Sequence, residues 1–295
     1  MSNSSRSDSL RPHPDNVPGD WFVDLRCIDC GTCRQLAPTV FGEFAAYAGV
    51  VKQPETESEI RGALRALVCC PTASISTHSR SHVPQIPAVI QEFPMQVAPG
   101  IYYCGFSAEE SFGASSWFIQ HAEGNWLVDA PRFSKHLISA LEALGGIQWI
   151  FLTHRDDVGE AQRFAEHFGA ERIIHHHERQ AQPDAEHIIT GFDSIKWSAD
   201  FTIIPTPGHT KGHCVLHYQN ILFSGDHFWW NMTLNRLRAG RSVCWYSWSE
   251  QIESVRKLLS LDLEWILPGH GAWIQLPPEK MQTQLHDLIS WMEQS

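Results

Sequence analysis

The feature that most constrains this 295-residue chain is a set of cysteines near its start. Residues 27–38 read CIDCGTCRQLAP, which places Cys27, Cys30 and Cys33 at C-x2-C-x2-C spacing. A fourth, Cys70, lies far downstream and directly precedes Pro71 in CCPTASI. Three thiols on so short a loop face one point, and the chain around them must fold so that a remote partner can join. The opening stretch MSNSSRSDSLRPHPDNVPGD has no apolar run of the kind a secretory signal carries, so the expected compartment is cytoplasmic. There, eight cysteines point to metal binding more than to a disulfide framework.

The cysteine run resembles that of ferredoxins with a single [4Fe-4S] cluster. In two-cluster bacterial ferredoxins the run continues to a fourth Cys before Pro, which serves the other cluster. Here Ala37 holds that place before Pro38, and Cys70 with Pro71 supplies the remote Cys-Pro. RQLAPTVF and CPTASI also resemble the flanking segments of that family. The resemblance covers residues 21–80 and implies an α+β ferredoxin-like domain with Cys27, Cys30, Cys33 and Cys70 as cluster ligands. The same thiolates could instead hold zinc, and a [3Fe-4S] form is a further alternative. Cys69 would point about 100° away from Cys70 on a helix and reads as a small buried hydrophobe, with a swapped ligand as the alternative. Cys104, Cys214 and Cys244 are scattered and read as core filler.

Residues 1–20 are polar and rich in Ser and Pro, which predicts a disordered tail. The prolines of 81–95 predict a linker, leaving 96–295 as a second domain. In the first domain, SEIRGALRALVCCP predicts a helix with Ile60, Leu64, Leu67 and Val68 on one face, capped by Ser58 and ended by Pro71. In the second, NWLVDA, QWIFLTH, ERIIHH, FTIIPTP and NILFSGD read as strands. Amphipathic helices are expected at 132–144, 160–169 and 249–260, and a last one carries Met281, Leu285, Leu288, Ile289 and Met292 on one face. Alternation of this kind builds sheets covered by helices.

Four segments of the second domain end in turns that carry imidazoles and carboxylates: THRDDVGE, PTPGHTKGH, LFSGDH and ILPGHG. Such donors suit Zn, Fe or Mn. Their order resembles the metallo-β-lactamase superfamily, of which glyoxalase II is a member. The resemblance covers nearly all of 95–295 and implies an αββα sandwich. That family has an H-x-H-x-D-H loop, a His in P-G-H-T, a bridging Asp in S-G-D and a last His in P-G-H-G. It carries over His154, His209, Asp226 and His270, with Asp129 of WLVDAPR at a structural Asp. The loop departs after His154. Read without a gap, Asp156 replaces the second His; read with a two-residue deletion, Asp156 is the loop Asp and Asp157 replaces the last His, the preferred alignment because it restores the flanking glycine. The candidate metal ligands are therefore His154, Asp156, Asp157, His209, Asp226 and His270. They suffice for one divalent metal with an open position or for an uneven pair, and a site eroded to its scaffold is the competing possibility. His213 is a candidate extra donor and His227 a neighbour of the site. His217 reads as a satisfied core residue and the triplet 175–177 as surface or supporting residues. The aromatic runs FWW at 228–230 and CWYSW at 244–248 read as packing, or else as a substrate cleft.

These residues imply a metal-dependent hydrolase of an ester, thioester or lactone, a small-molecule substrate, with Asp156, Asp157 and Asp226 as catalytic carboxylates. The fused cluster leaves two alternatives: a redox enzyme whose iron site is fed by the cluster, with a redox partner protein, or a non-enzymatic cluster-bearing sensor. Flavodiiron-type relatives carry a flavodoxin module, and neither that nor a G-x-G-x-x-G fingerprint is present here. Fusions of this ferredoxin type to this hydrolase type resemble those of cyanobacteria and plastids, which implies supply from photosynthetic carriers. A net charge of −11 disfavours nucleic acid as a partner. No run approaches the roughly 18 apolar residues of a membrane helix.

Overall fold

The alternation of the second half is realised as two stacked sheets in the computed structural model, which describes residues 10–295. A seven-stranded sheet runs from His187–Ile189 at one edge through Glu171–His175, Trp149–Phe151 and Trp126–Val128 to Met95–Ala98 at the other. A six-stranded sheet has Ile221–Gly225 between Cys214–Tyr218 and Trp265–Pro268. Parallel pairing occurs where a helix makes the crossover. Helix Lys135–Ala143 joins Trp126–Val128 to Trp149–Phe151, and helix Ala161–Phe168 joins the latter to Glu171–His175.

The second sheet is apolar on both faces, and its period-2 alternation sorts neighbours into two cores. Ile203, Leu216, Phe223 and Leu267 point inward to the first sheet. Ile204, Val215, Leu222 and Ile266 point outward, where helices Trp248–Leu258 and Pro278–Gln294 cover them with Val255, Leu258, Leu285 and Leu288. Each fully buried side chain of this size contributes about 1.5–3 kcal/mol. The five expected strands and the four expected helices of this domain all form, with ends shifted by up to three residues. The αββα sandwich is the observed architecture.

The N-terminal module is built on helix Glu57–Cys69 and short antiparallel strand pairs. The helix starts earlier than a Ser58 cap predicts. Thr56 is its cap, accepting from the Glu59 amide while the Glu59 carboxylate accepts from the Thr56 amide. The buried stripe is also rotated: Ala63, Leu64, Ala66 and Cys69 are buried, whereas Ile60, Leu67 and Val68 are half-buried. Small residues face inward because the helix lies close to the backbone of Leu36 and Ala37.

Two expected boundaries differ from the structure. Of the expected disordered tail 1–20, residues 1–9 lie outside the described residues, and residues 10–20 are tied to the module. The Asn16 carboxamide donates to the carbonyls of His13 (2.6 Å) and Val23 (2.8 Å). It accepts from the amides of Val23 (3.0 Å) and Val50 (2.9 Å). One polar side chain thus replaces the apolar anchor that composition alone looks for. The expected linker 81–95 is likewise packed, with helix Ile86–Ile90, buried Val89 and Phe93, and Glu92 paired with Arg61 and Arg65. One apolar core runs unbroken from Trp21 and Cys69 through Phe93 to Trp126 and Phe223. Among the described residues, no helix is long and apolar enough to cross a membrane.

Asn16→Ala removes four hydrogen bonds at once and should cost about 2–6 kcal/mol at a net ~0.5–1.5 kcal/mol each. Amide exchange at Val23 and Val50 checks this. Both should lose protection, while amides of the strand Ile221–Gly225 keep theirs.

Candidate functional site

Every donor of the second-domain site follows the C-terminal end of a strand, where open α/β sheets place their sites. His154 lies beyond Trp149–Phe151, His209 beyond Phe201–Pro205, Asp226 beyond Ile221–Gly225 and His270 beyond Trp265–Pro268. Asp156 and Asp157 occupy a single 3-10 turn, Arg155–Asp157. The turn shortens the loop and brings both carboxylates in beside His154.

The donors form two sets. In the first, Nε2 of His154 lies 3.7 Å from the Asp156 carboxylate and 3.8 Å from that of Asp226. Nε2 of His209 lies 3.9 and 3.8 Å from the same two carboxylates. Donors on one zinc at about 2.0–2.1 Å would stand roughly 3.3 Å apart; His154, Asp156 and His209 come within 4.8 Å of one another and Asp226 reaches both imidazoles, so the ring is wider than a bound ion would leave it. In the second set, Asp157 and Asp226 converge with His154. His270 meets Asp226 directly, its Nδ1 lying 2.8 Å from one carboxylate oxygen, while its Nε2 faces the Phe112 carbonyl at 3.2 Å. Asp156 therefore faces both imidazoles, as the uninterrupted alignment has it, and Asp157 faces Asp226, as the deletion has it. Neither alignment alone describes the loop.

The surroundings fix these groups for a cation. The Nε2 atoms of His154 and His209 and both carboxylate oxygens of Asp157 are buried without a hydrogen-bond partner, a costly state unless an ion satisfies them. Thr153 donates its hydroxyl to Asp129 (2.9 Å) and stands 3.0 Å from Nδ1 of His154. With Asp129 ionised, the one proton of that hydroxyl is committed to the carboxylate, so Nδ1 of His154 carries its own and Nε2 presents a lone pair. Burial holds the His154 imidazole down at about 3, Asp226 opposing, which keeps that lone pair free. Burial pushes the Asp157 carboxyl well above the usual carboxylate range, and Asp226 adds to the shift. Burial likewise lifts Asp129 to about 8 against two hydrogen bonds from Thr153. Burial would raise Asp226 too, but the His270 imidazole holds it below its ordinary value. Gly269 leaves the space open: a Cβ there would stand 2.4 Å from the Asp157 carboxylate and 2.8 Å from that of Asp226.

Glu178, which sequence reasoning did not single out, joins two of the ligand loops. Its buried carboxylate accepts from the amides of Gly212 (2.6 Å) and Arg155 (3.3 Å) and pairs with the Arg155 guanidinium at 3.0 Å. The His154 turn and the His209 turn are thus clamped by one side chain. Nearby, His213 holds Thr206 through Nδ1 at 2.8 Å, with its Nε2 buried and unpartnered. His175 binds the Gly191 carbonyl and the His177 amide and is not among the donors. His217 is half-buried on Cys214–Tyr218, away from the donor sets.

In the N-terminal module, Cys27, Cys30, Cys33 and Cys70 line one small cavity. Burial pushes the Cys33 thiol far up, and Cys30, Cys27 and Cys70 add to the effect, as mutually facing sulfurs must. The Ala48 amide donates to Sγ of Cys27 at 3.4 Å and the Ser74 amide to Sγ of Cys70 at 3.3 Å. Four thiolates on one zinc would lie about 3.8 Å apart. Among the described residues, three ligand atoms come within 4.8 Å of one another only in the two sets of the histidine half. The sulfurs of the cradle are therefore set wider than one zinc ion would hold them, which is the direction a cluster requires. Cys69 is fully buried beside Gly105 and is not part of the cradle.

A family model described as the metallo-beta-lactamase superfamily matches residues 111–270, just over half of the chain. One described as the 4Fe-4S single cluster domain of ferredoxin I matches residues 23–77. The hydroxyacylglutathione hydrolase of Salmonella typhi is 31% identical over 117 residues, covering 37% of this chain and 45% of that protein. The protein of the same name from Salmonella newport (strain SL254) matches to the same extent. The chain thus spans about half the length of the curated relatives it matches. Among solved structures, the BLEG-1 B3 metallo-beta-lactamase has a TM-score of 0.52 at 19% identity, over 65% of this chain and 99% of that one. A metallo-beta-lactamase family protein from Thermus thermophilus has a TM-score of 0.51 at 17% identity, over 68% of this chain and 81% of that one. These two likenesses bear on the fold.

Glu178→Ala should weaken divalent-ion binding about 10- to 100-fold, the usual effect of removing a group that orients ligands. Competition with a chelating dye measures it, with far-ultraviolet circular dichroism unchanged. The pH dependence follows from Asp129. Its carboxyl near 8 in the folded chain lies above the unfolded value of about 3.9. Between those values the metal-free folded state holds a proton that the unfolded state releases, so stability falls as pH rises. The buried imidazoles of His154 and His227, both held at about 3, act in the opposite sense below about pH 6.5, so the Asp129 contribution is read by difference: the thermal midpoint of metal-free Asp129→Asn, relative to the parent, should rise from pH 5 to pH 8, and saturating divalent metal should flatten that slope.

Proposed function

Because the chain belongs to the metallo-beta-lactamase superfamily and carries a 4Fe-4S single cluster domain ahead of that fold, we propose that it is a metal-dependent hydrolase of an ester-type acyl bond. The observation that carries this reading is the convergence of the bare Nε2 atoms of His154 and His209 on the carboxylates of Asp156 and Asp226, all within 3.9 Å. The hydroxyacylglutathione hydrolases that the chain resembles support an ester, thioester or lactone as substrate.

His154, Asp156, His209 and Asp226 would hold the tighter of one or two divalent ions, and Asp157, Asp226 and His270 the weaker. A divalent ion there supplies Lewis acidity, polarising a carbonyl and acidifying bound water. The chain's own groups do the rest. The hydroxyl of Thr153 keeps the His154 lone pair aimed inward. Asp157 is unpartnered and driven toward its protonated form by burial, so it would take the proton that the attacking water gives up only once a bound cation has displaced the proton it already holds. His270, held in its charged form beside Asp226, would give up its proton to serve as a ligand with Asp157 and Asp226. Zn suits this hydrolytic role. The many carboxylates also suit Fe or Mn.

A second reading has its own observation: Cys30 of the sulfur cradle borders the same cleft as His209, Asp226 and His270. It makes the second site an iron centre in a redox enzyme served by a redox partner protein. Iron in excess of the cluster's content, after anaerobic purification, favours this reading, and zinc favours hydrolysis.

His209→Ala and Asp226→Ala should each lose the divalent ion and ester turnover by at least a hundredfold while keeping the visible absorbance of the cluster. Elemental analysis decides, and unchanged metal stoichiometry in both variants defeats the assignment.

A further inference from the structure

The donor sets form the floor of a cleft of about 750 Å³ whose walls come from both modules. One wall is the cysteine loop itself, with Ile28, Cys30 and Arg34, backed by Phe41. The other carries Trp229, Met232, Val243 and Trp245. Twelve large hydrophobics are exposed among the described residues, and five of them line this cleft: Ile28, Phe112, Met232, Val243 and Trp245. Scattered exposure needs no explanation, but a concentration around buried metal donors marks a binding surface.

The placement is held by the same residues that hold the metal site. The Trp245 amide donates to the His209 carbonyl at 2.8 Å, fastening the rim to a ligand loop. Phe112 is 64% exposed and adopts φ 51°, a left-handed conformation costly for an aromatic residue. Its carbonyl lies 3.2 Å from Nε2 of His270, which secures the turn. The next residue, Gly113, lies directly against the sulfur cradle. A Cβ there would stand 2.5 Å from Cβ of Cys30, and the Gly113 carbonyl accepts from the Thr32 hydroxyl at 3.4 Å. Two residues of backbone therefore separate a cysteine of the cluster cradle from a histidine of the metal site.

The charge of the cleft narrows the ligand. Among its described lining residues Arg34 is the one Lys or Arg, and it is paired with Asp29 at 2.5 Å. Asp29, Glu43, Asp156 and Asp226 line the same space. An anionic ligand finds no unpaired basic side chain on these walls, whereas an apolar one finds aromatic faces on both sides.

Resting on the hydrolytic reading above, we propose that the cysteine loop is one wall of the substrate site. The substrate is then an uncharged ester or thioester, its apolar group held between Ile28 and the rings of Phe112 and Trp245. Filling the cleft expels water from the Cys30 side of the cluster cradle. Solvent exposure is one of the factors that set a cluster's potential. Less water around an anionic cluster disfavours the added electron, so occupancy lowers the cluster potential.

The test uses the full-length protein with its cluster, phenyl butyrate as substrate, its ketone isostere as a non-hydrolysable ligand, and a hydroxyacylglutathione as the anionic comparison. Phenyl butyrate should be cleaved with kcat/KM at least tenfold above the glutathione thioester. Trp245→Ala and Ile28→Ser should raise its KM at least threefold with metal and cluster content unchanged. The ketone should quench tryptophan fluorescence and move the cluster's midpoint potential, followed by redox titration, to a lower value. If the ketone quenches and shifts the potential but no ester is cleaved, the hydrolytic reading fails and the shared wall stands. If esters are cleaved while the potential stays fixed and both variants keep the parent KM, the shared wall fails and hydrolysis stands. Preference for the glutathione thioester overturns the uncharged substrate.

Discussion

Repulsion among carboxylates is the constraint around which the second domain is arranged. Asp129, Asp156, Asp157 and Asp226 meet at the ends of two strands and in one short turn, two of them fully buried. Two unit charges 4 Å apart repel by about 4 kcal/mol at the effective dielectric of a protein surface, against a total stability of about 5–15 kcal/mol for a domain. Such a group of acids is tolerable only with protons or a cation among them. The supporting residues share that purpose. Glu178 clamps the two loops that deliver His154 and His209, Thr153 fixes an imidazole, and Gly269 keeps the centre free of a side chain.

Much of this was legible in the sequence because strand ends and their turns are local. THRDD, PGHT, SGD and PGHG each carry their donor within a few residues of a strand, so the stacked sheets bring them together once the strand order is set. The same holds for the cysteines: spacing places three, and the remote Cys-Pro supplies the fourth. The roles of Asp156 and Asp157 were less legible. Their division between two donor sets depends on a single 3-10 turn, and spacing alone offers two alignments without choosing between them.

What the sequence hid was long-range. Glu178 belongs to no motif, and its partners Arg155 and Gly212 are 23 and 34 residues away. Asn16 lies in a stretch whose composition resembles disorder, because a hydrogen-bonding side chain leaves no trace in hydropathy. The prolines of 81–95 resemble a spacer, yet Val89 and Phe93 enter the common core. The aromatic runs had two open interpretations. Phe228 packs in the core, while Trp229 and Trp245 border the cleft, a division that composition alone does not make.

The contact between Gly113 and Cys30 has a consequence for the order of events during synthesis. Every cysteine of the cradle precedes residue 71, so the sulfur ligands leave the ribosome before the turn that seals them. Until the segment around Gly113 arrives, some 80 positions after Thr32, the cradle stays accessible from that side. Arrival of the later domain covers the Gly113 face of the cradle and leaves the Cys30 side opening onto the shared cleft.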